Sequence, residues 1–559
     1  MTLITPIRQL QGDDLFSSYD GERVVIEGVV TGVIRRGFFL QTPNKQWDGQ
    51  GSDAIFVYSP AWHASTGAEL KVIGRCVNYL KNDTAKPVTQ LLFESATVKS
   101  TDGPEIEAIV LSQKLLPESN ADLARLLNSL EGMLVSLEAG HTFIAPSNKF
   151  GDYVVALDQP KKDRSALRTS DGGMLADPEK GQRWMPGFRV INYNHAQRLN
   201  VGAKLISRIQ GPLNYRAGAY QMAVNAPFLI EPSYLSLTKS RLKSSPNSLT
   251  IMTLNCFNLD PVIESESRVT NPRLDVDDDW GEGRFHTLAQ AIVLQSNCPD
   301  IIALQEIQDN DGAELSTVTD ASITYGLLIK TVEKLSGLLY EWVDIPPELN
   351  QDGGQPGGNI RNGFLYNPQR CTPDLKTLRV LGKQAECFES SRKPLVCDFI
   401  ERDSGERLSI MNVHLASKRH QNSIFAPDNA GVDEKLSVRV EQATIIQNEA
   451  NTIFEKGLEY YITGDFNDTE HSDTLKALTA KSGANLVLTL EATERYDYNH
   501  RGQLQVLMHG IVPQTVLSAG RAEYEIIHGN ELIGITPGEE SNKPSDHAYV
   551  IAKIKLTQS

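Results

Sequence analysis

The run LEYYITGDFN, Leu458 to Asn467, passes from aromatic and β-branched residues straight into a glycine, an aspartate and an asparagine. It reads as a buried strand with polar chemistry at its carboxyl end. The same grammar recurs in TIMTLN ending at Asn255, DIIALQE ending at Glu306 and LSIMNVH ending at His414. A fifth polar group, SDH at Ser545 to His547, precedes the strand-like AYVIAKIKL. Open α/β sheets gather their sites at strand ends, so these side chains are expected to converge in one cleft. Glu306, Asp465 and Asp546 are hard oxygen donors suited to Mg²⁺, Mn²⁺ or Ca²⁺, and the Cys/His cluster that zinc favours is missing from the set.

Working outward, apolar strands alternate with amphipathic helices from about Thr250 onward. Phe285, Leu288, Ala289, Ile292 and Val293 fall on one helical face between Arg284 and Gln295. A second helix runs through Ala443, Ile446, Ala450, Ile453 and Phe454. That alternation indicates an α/β domain over residues 250–559. Upstream, LTKSRLKSSPNSLT is rich in Ser and Lys and has little periodicity, so residues 237–249 read as a linker. Residues 1–103 hold VVIEGVVTGVI, GFFLQTP, AIFVYSP and LKVIGRCVNYL, an all-β module of about five strands. Residues 104–236 repeat the habit in MLVSLEAGHTFIAP, DYVVALDQP and AKLISRIQGPLNYRAGAYQMAV, and predict a second β-barrel-like module. A polar insertion around Gln159 to Arg183 is expected to be a long surface loop.

Composition agrees with several domains. The chain has 559 residues, and single cores stop growing at roughly 250–300. It is 40% hydrophobic and 22% charged, as in a globular protein. No apolar run approaches the ~18–20 residues of a membrane helix. The start MTLITPIRQLQG shows no secretory signal, which leaves localisation open: cytoplasmic if Met1 is the native start, or exported with a signal trimmed off. A formal charge of −16 argues against a broad basic surface, while a local basic groove with a metal remains compatible with a phosphate substrate. The six cysteines lack C-x-x-C spacing and read as buried thiols, with a bridge among Cys371, Cys387 and Cys397 left open.

LNCFN, LQE, GGQPGGNIRNGFLYNP, SRKPLV, NVHLASK, GDFND and SDH occur in this order from Thr250 to Leu556. In these motifs the chain resembles the endonuclease/exonuclease/phosphatase superfamily, which includes pancreatic deoxyribonuclease. The resemblance implies a four-layer, DNase I-like α/β sandwich and in-line attack of water on a phosphodiester. It implies metal ligation by Glu306 and Asn255, with Asp465 and Asp546 in the same centre. Asp465 would orient or deprotonate the water, Asn467 would bond water or phosphate, and His414 matches a position that serves some members as general acid. His547, poised by Asp546 or another carboxylate, would stabilise developing charge or act as base. Arg361 and Asn362 either contact phosphate or shape a turn, and Arg392 and Arg439 are rim contacts or ion-pair partners. The acidic run DVDDDWGE, Asp275 to Glu282, reads as a solvated loop, with a second cation site as the alternative.

One position departs from the family pattern. An aspartate usually stands where QVLMHGIV has Met508, and it orients the catalytic histidine. A thioether cannot accept a strong hydrogen bond from imidazole. Three outcomes follow: another acid such as Asp497 substitutes, activity is reduced, or the domain binds without cutting. The expectation is reduced or re-supported activity.

The front modules resemble the OB-folds that precede such domains in bacterial nucleases, mostly secreted. Phe38, Phe39, Phe56 and Tyr58 are candidate stacking platforms, about half of which strand alternation turns into the core. The expected function is a metal-dependent nuclease acting on DNA, and on RNA as well in a broader version. A small-molecule phosphodiesterase or phosphatase, and a weakened nucleic-acid-binding protein, are the alternatives. No membrane partner is expected.

Overall fold

The computed structural model describes residues 3–12, 15–43, 46–81, 86–112, 114–117, 120–156, 167–176, 187–192, 194–216, 218–418, 432–536 and 543–556. Helix α1 (Ile7–Gln11) precedes strands β1 (Arg23–Ile34), β2 (Gly37–Gln41), β3 (Ala54–Tyr58), β4 (Glu69–Tyr79) and β5 (Val88–Ser100). These five strands close into a barrel in the order β1-β2-β3-β5-β4. Period-two alternation sends Leu70, Val72 and Cys76 of β4 inward with Ile26, Val30, Phe38, Leu40, Ile55 and Val57. Phe38 and Phe39 are both buried, and Phe39 packs on Phe56 at 5.0 Å between ring centroids. Of the four aromatics read as platforms, Phe56 and Tyr58 keep partial exposure.

The second module differs from the expected barrel. Its strands are β6 (Ile109–Val110), β7 (Leu134–Leu137), β8 (Asp152–Ala156), β9 (Gly187–Ile191), β10 (Lys204–Leu205), β11 (Ile209–Arg216), β12 (Ala219–Ala223) and β13 (Ile230–Glu231). Six form an open sheet, β6-β7-β11-β12-β9-β8, and β10 and β13 pair separately. Helix α2 (Asn120–Ser129) covers this core, because Leu123 and Leu127 recur at helical spacing and are buried, with Leu130 just beyond its end. The insertion at Gln159 to Arg183 lies mostly outside the described residues. A cleft of about 440 Å³ separates barrel and module, and across it Lys86 pairs with Glu131 at 2.7 Å.

Beyond Ser248 two six-stranded mixed sheets face each other. The first is built from β14 (Ser248–Leu259), β15 (Ile301–Ile307), β16 (Glu341–Asp344), β17 (Arg361–Tyr366), β26 (Ala522–Ile527) and β27 (Tyr549–Lys555), ordered β16-β17-β15-β14-β27-β26. The second is built from β18 (Cys371–Val380), β19 (Leu395–Glu401), β20 (Arg407–His414), β21 (Glu459–Asp465), β22 (Gly483–Asn485) and β25 (Met508–Pro513), ordered β18-β19-β20-β21-β25-β22. A hairpin of β23 (Tyr498–His500) and β24 (Gln503–Gln505) stands apart.

Alternation along the strands makes three cores. Ile251, Ile301 and Phe364 meet Cys397, Phe399 and Ile410 between the sheets. Met252, Leu254 and Ile302 face outward onto α4 (Arg284–Gln290) and α5 (Ser322–Ser336) through Phe285, Leu288, Tyr325 and Leu328. Val396, Met411 and Ile462 face α6 (Leu436–Glu455) and α7 (Asp473–Thr479) through Ala443, Ile446, Ala450 and Leu475. The first predicted helix continues past α4 as one π-helical turn, Ala291–Gln295. Short helices α3 (Pro272–Asp275) and α8 (Gln514–Ser518) sit in connections.

The segment read as a linker is tied down: Ser240 Oγ donates to Glu525 at 2.9 Å and Asn297 Nδ2 donates to the Ser240 carbonyl at 2.8 Å. All six cysteines are free thiols. Among the described residues no helix is long and apolar enough to cross a membrane.

Candidate active site

Two parallel pairs deliver the polar strand ends. In the first sheet β14 runs parallel to β15, and both lose register where their polar residues stand, between Asn255 and Leu259 and between Leu304 and Ile307. Such bulges re-aim side chains. Glu306 takes φ 58°, Phe257 54° and Asn258 58°, left-handed backbone that L-residues leave unless surroundings hold them there. In the second sheet β20 is parallel to β21, and the register puts His414 directly beside Asp465. Asn467 follows at φ 50°, with its N–H on Asp465 Oδ1 at 2.8 Å.

The side chains meet across the gap between the sheets. Asn255 Nδ2 donates to Glu306 Oε1 at 3.1 Å and lies 3.4 Å from Asp465 Oδ2. His414 Nε2 stands 3.7 Å from Glu306 Oε1 and 3.6 Å from Asp465 Oδ2. Burial, together with the charge of Asp546, raises the Glu306 carboxyl above the ordinary range. Burial also raises Asp465, against the opposing pull of His547. Positive charge opposes the raise at both acids, from Arg392 at Glu306 and from His547 and Arg392 at Asp465. Glu306 keeps 19% and Asp546 37% side-chain exposure, so the cluster opens to solvent on this side. Hard carboxylate oxygens and solvent access suit a cation that retains several waters, while Asn255 turns Nδ2 to the carboxylates and keeps its Oδ1 on the Phe257 N–H at 2.8 Å.

Asp497 holds His547. Its Oδ1 lies 2.8 Å from His547 Nδ1, and its Oδ2 accepts from the Leu507 and Met508 N–H groups at 2.7 and 2.9 Å. Of the three outcomes weighed for Met508, the geometry is that of the substituting acid. With Nδ1–H given to Asp497, Nε2 faces Asp465 Oδ2 at 3.7 Å and Asp546 Oδ1 at 3.9 Å. Burial disfavours the imidazolium, but Asp546, Asp497 and Asp465 outweigh it and push His547 up to about 10. Met508 itself is buried in the core between the sheets. The ring of Tyr498 stacks on His547 at 4.8 Å.

The remaining candidates divide. Arg392 Nη2 and Asn467 Nδ2 both donate to the Leu415 carbonyl, at 3.0 and 3.2 Å, which joins them to the cluster. Asn362 Nδ2 bonds the Lys393 carbonyl at 3.0 Å, beside Arg392. Arg361 is not brought to the cluster: it is 2% exposed, and its guanidinium serves the Thr319 and Asn359 carbonyls and Asp344. A phosphate would have to displace those buried bonds, so of its two readings the one that shapes the loop fits its place. Arg439 is likewise buried between Asp433 and Asp468. The acidic run is more than a solvated loop, because Asp279 is buried against Arg284. Carboxylates of Asp260, Glu264 and Asp277 lie within 4.8 Å of one another, and burial, then Glu264, pushes Asp260 up to about 9.

Asp497, named from the sequence as an acid that could substitute for the one missing at Met508, lies far from His547 in the chain and takes that place. One supporting feature escaped the sequence reading. Gln305 and Asn412 bridge the sheets beneath the cluster: Gln305 Nε2 donates to Asn412 Oδ1 at 2.6 Å, and Asn412 Nδ2 donates to the Leu304 and Gly363 carbonyls at 2.8 and 2.9 Å. Their signal was present as polar residues inside apolar strands.

Comparison with known proteins is sparse in sequence. The family model of a domain of unknown function, DUF8508, matches residues 96–232, the second module. No curated protein matches the chain. Among solved structures, an endonuclease/exonuclease/phosphatase family protein from Bacteroides thetaiotaomicron is 16% identical with a TM-score of 0.35, covering 56% of this chain and 95% of its own. The catalytic domain of human Nocturnin is 14% identical with a TM-score of 0.36, over 56% of this chain and 95% of its own. D. rerio TDP2, humanized by 14 mutations, is 13% identical with a TM-score of 0.35, over 55% of this chain and 98% of its own.

Proposed function

We propose that the chain is a divalent-metal-dependent nuclease that hydrolyses phosphodiester bonds of DNA, and of RNA where the cleft admits it. One observation carries this reading: Asn255, Glu306, His414 and Asp465, from strand ends of two different sheets, meet the His547–Asp497 pair in one partly open cluster. The layer order of helices, sheet, sheet and helices supports a DNase I-like sandwich, and the strand order of the barrel supports an OB-fold.

Glu306 would hold the cation, with Asn255 and Asp546 beside it. When bound, the cation withdraws charge from the phosphate and stabilises the leaving oxygen. Asp465, aligned by the Asn467 N–H, orients the attacking water and accepts its proton. His547, kept in one orientation by Asp497, presents Nε2–H to the phosphate oxygen on which charge accumulates. His414, between Glu306 and Asp465, is placed to protonate the leaving oxygen. Asn467 and Arg392 bind the phosphate's remaining oxygens.

The test is a substrate panel of supercoiled plasmid, single-stranded DNA, RNA and bis-p-nitrophenyl phosphate, each with Mg²⁺ and with EDTA. Nicking of plasmid that EDTA abolishes is the expected result. Hydrolysis of the small ester alone would assign a small-molecule phosphodiesterase, and inactivity on all four would remove the enzymatic reading.

A further inference from the structure

The hairpin that carries Asp497 does not rest on the catalytic sheets alone. Its strands pair in the register Tyr498↔Gln505 to His500↔Gln503, and its outer edge is taken up by the second β module. Leu504 N–H donates to the Met174 carbonyl at 2.8 Å and Ala176 N–H donates to the Leu504 carbonyl at 2.9 Å. Asn499 Nδ2 donates to the Ile144 carbonyl at 3.0 Å. Gly502, at φ 87°, leaves no room for a side chain, since an added Cβ would lie 2.9 Å from Ile144 and 3.0 Å from Val154. Leu175 and Val201 of the module share a buried cluster with Tyr496, Leu504 and Leu532.

The opposite flank of the histidine is held in the same way. Asn530 Nδ2 donates to the His547 carbonyl at 2.8 Å and also to that of Ser545. Two residues on, the Leu532 carbonyl accepts from Val201 N–H at 3.0 Å. The Gly534 N–H bonds Asn200 Oδ1 at 3.0 Å, and Ser147 exchanges hydrogen bonds with Ile535. Between the two flanks, Asp497 O accepts from Ala548 N–H at 2.7 Å, and Tyr498 bridges to and stacks on His547.

We propose that the second β module is a positioning part of the active centre: it clamps both segments flanking His547 and fixes how Asp497 and Tyr498 meet the imidazole. This rests on the nuclease reading. Its consequence is that the module acts on turnover and does so through Asp497, whereas a module that only bound substrate would act on affinity. Small displacements of a reacting group are expensive in rate, so loosening the clamp is expected to cost about tenfold in kcat.

The experiment uses the full chain with Asn499→Ala, Leu175→Ala and the volume-conserving Leu175→Met, each alone and combined with Asp497→Asn. The first two are expected to lower kcat about tenfold on both plasmid and bis-p-nitrophenyl phosphate, with KM within about twofold, and Leu175→Met to restore it. On the Asp497→Asn background the same changes are expected to cost under about twofold, because residues acting as one unit are not additive. Unchanged kcat, a rise in KM alone, or losses that multiply with that of Asp497→Asn would overturn the proposal. A second readout needs no turnover: in ¹⁵N-histidine-labelled protein, the His547 Nδ1–H resonance, identified by its loss in Asp497→Ala, is expected to shift in Asn499→Ala. An unmoved resonance contradicts the clamp. If the wild-type chain cleaves no phosphodiester, the nuclease reading fails, and this resonance still decides the clamp on its own.

Discussion

His547 and its partner show what a linear reading can name without placing. Met508 stands where the resemblance calls for an aspartate, and the acid enters from Asp497, the substitute named from the sequence, at the foot of a separate hairpin, 2.8 Å from Nδ1. Met508→Asp is therefore expected to give no gain in turnover. It would bury a carboxylate in the apolar core between the sheets, costing about 2–5 kcal/mol, measurable as a lower unfolding midpoint in denaturant. Asp497→Asn is expected to lower kcat by about 10²-fold or more with little change in KM. A second histidine gives a pH signature away from the cluster. His528 lies 2.9 Å from Glu531 and 3.5 Å from Glu494, and although burial disfavours its charge, the two glutamates push it up to about 9. A raised pKa means the folded state holds the proton more tightly. The stabilisation is complete below the unfolded value of about 6.5 and is lost as pH rises through about 9. After discounting for the exposed Glu494, its size is about 2 kcal/mol. Thermal unfolding scanned from pH 6 to 10 is expected to show this decline, and His528→Gln to flatten it.

At the level of elements, what was legible followed periodicity. Helices α4 and α6 were marked by Phe285, Leu288, Ala443 and Ile446, whose spacing fits one buried face and nothing else. The strand ends at Asn255, Glu306, His414 and Asp465 were visible because polar residues there interrupt apolar runs. Helix α2 was missed because its leucines sit between strand-like runs in a segment that reads as all-β. Open and closed sheets share one alternation, so the second module's topology was not readable either. The link between the sheets was also unread, since Gln305 and Asn412 are polar residues whose partners lie on another strand. Asn412→Leu would remove the Nδ2 bonds to the Leu304 and Gly363 carbonyls and one acceptor of Gln305 Nε2, which keeps Thr253 Oγ1 and the Ala303 carbonyl, at a cost of about 2–4 kcal/mol. Equilibrium denaturation measures it, and a change under about 0.5 kcal/mol would mean that the bridge is energetically idle.

For the whole molecule, the division into domains conceals how the site is assembled. The segment before Ser248 is bonded to Glu525, and the second module reaches the segments on either side of His547, so the cluster depends on contacts hundreds of residues apart. Such contacts leave no trace in local pattern, which is why strand-end residues could be read from the chain while the scaffold that sets their geometry could not. The proposed anchoring of a cation by Glu306 in a phosphodiester-cleaving centre is tested most directly by the rate of plasmid nicking across a Mg²⁺ titration for wild-type protein and Glu306→Gln. Saturable, Mg²⁺-dependent nicking is expected of the wild type, with a loss of about 10²-fold or more in Glu306→Gln at every Mg²⁺ concentration. Equal rates in the two proteins, or nicking by the wild type that persists in EDTA, would contradict it.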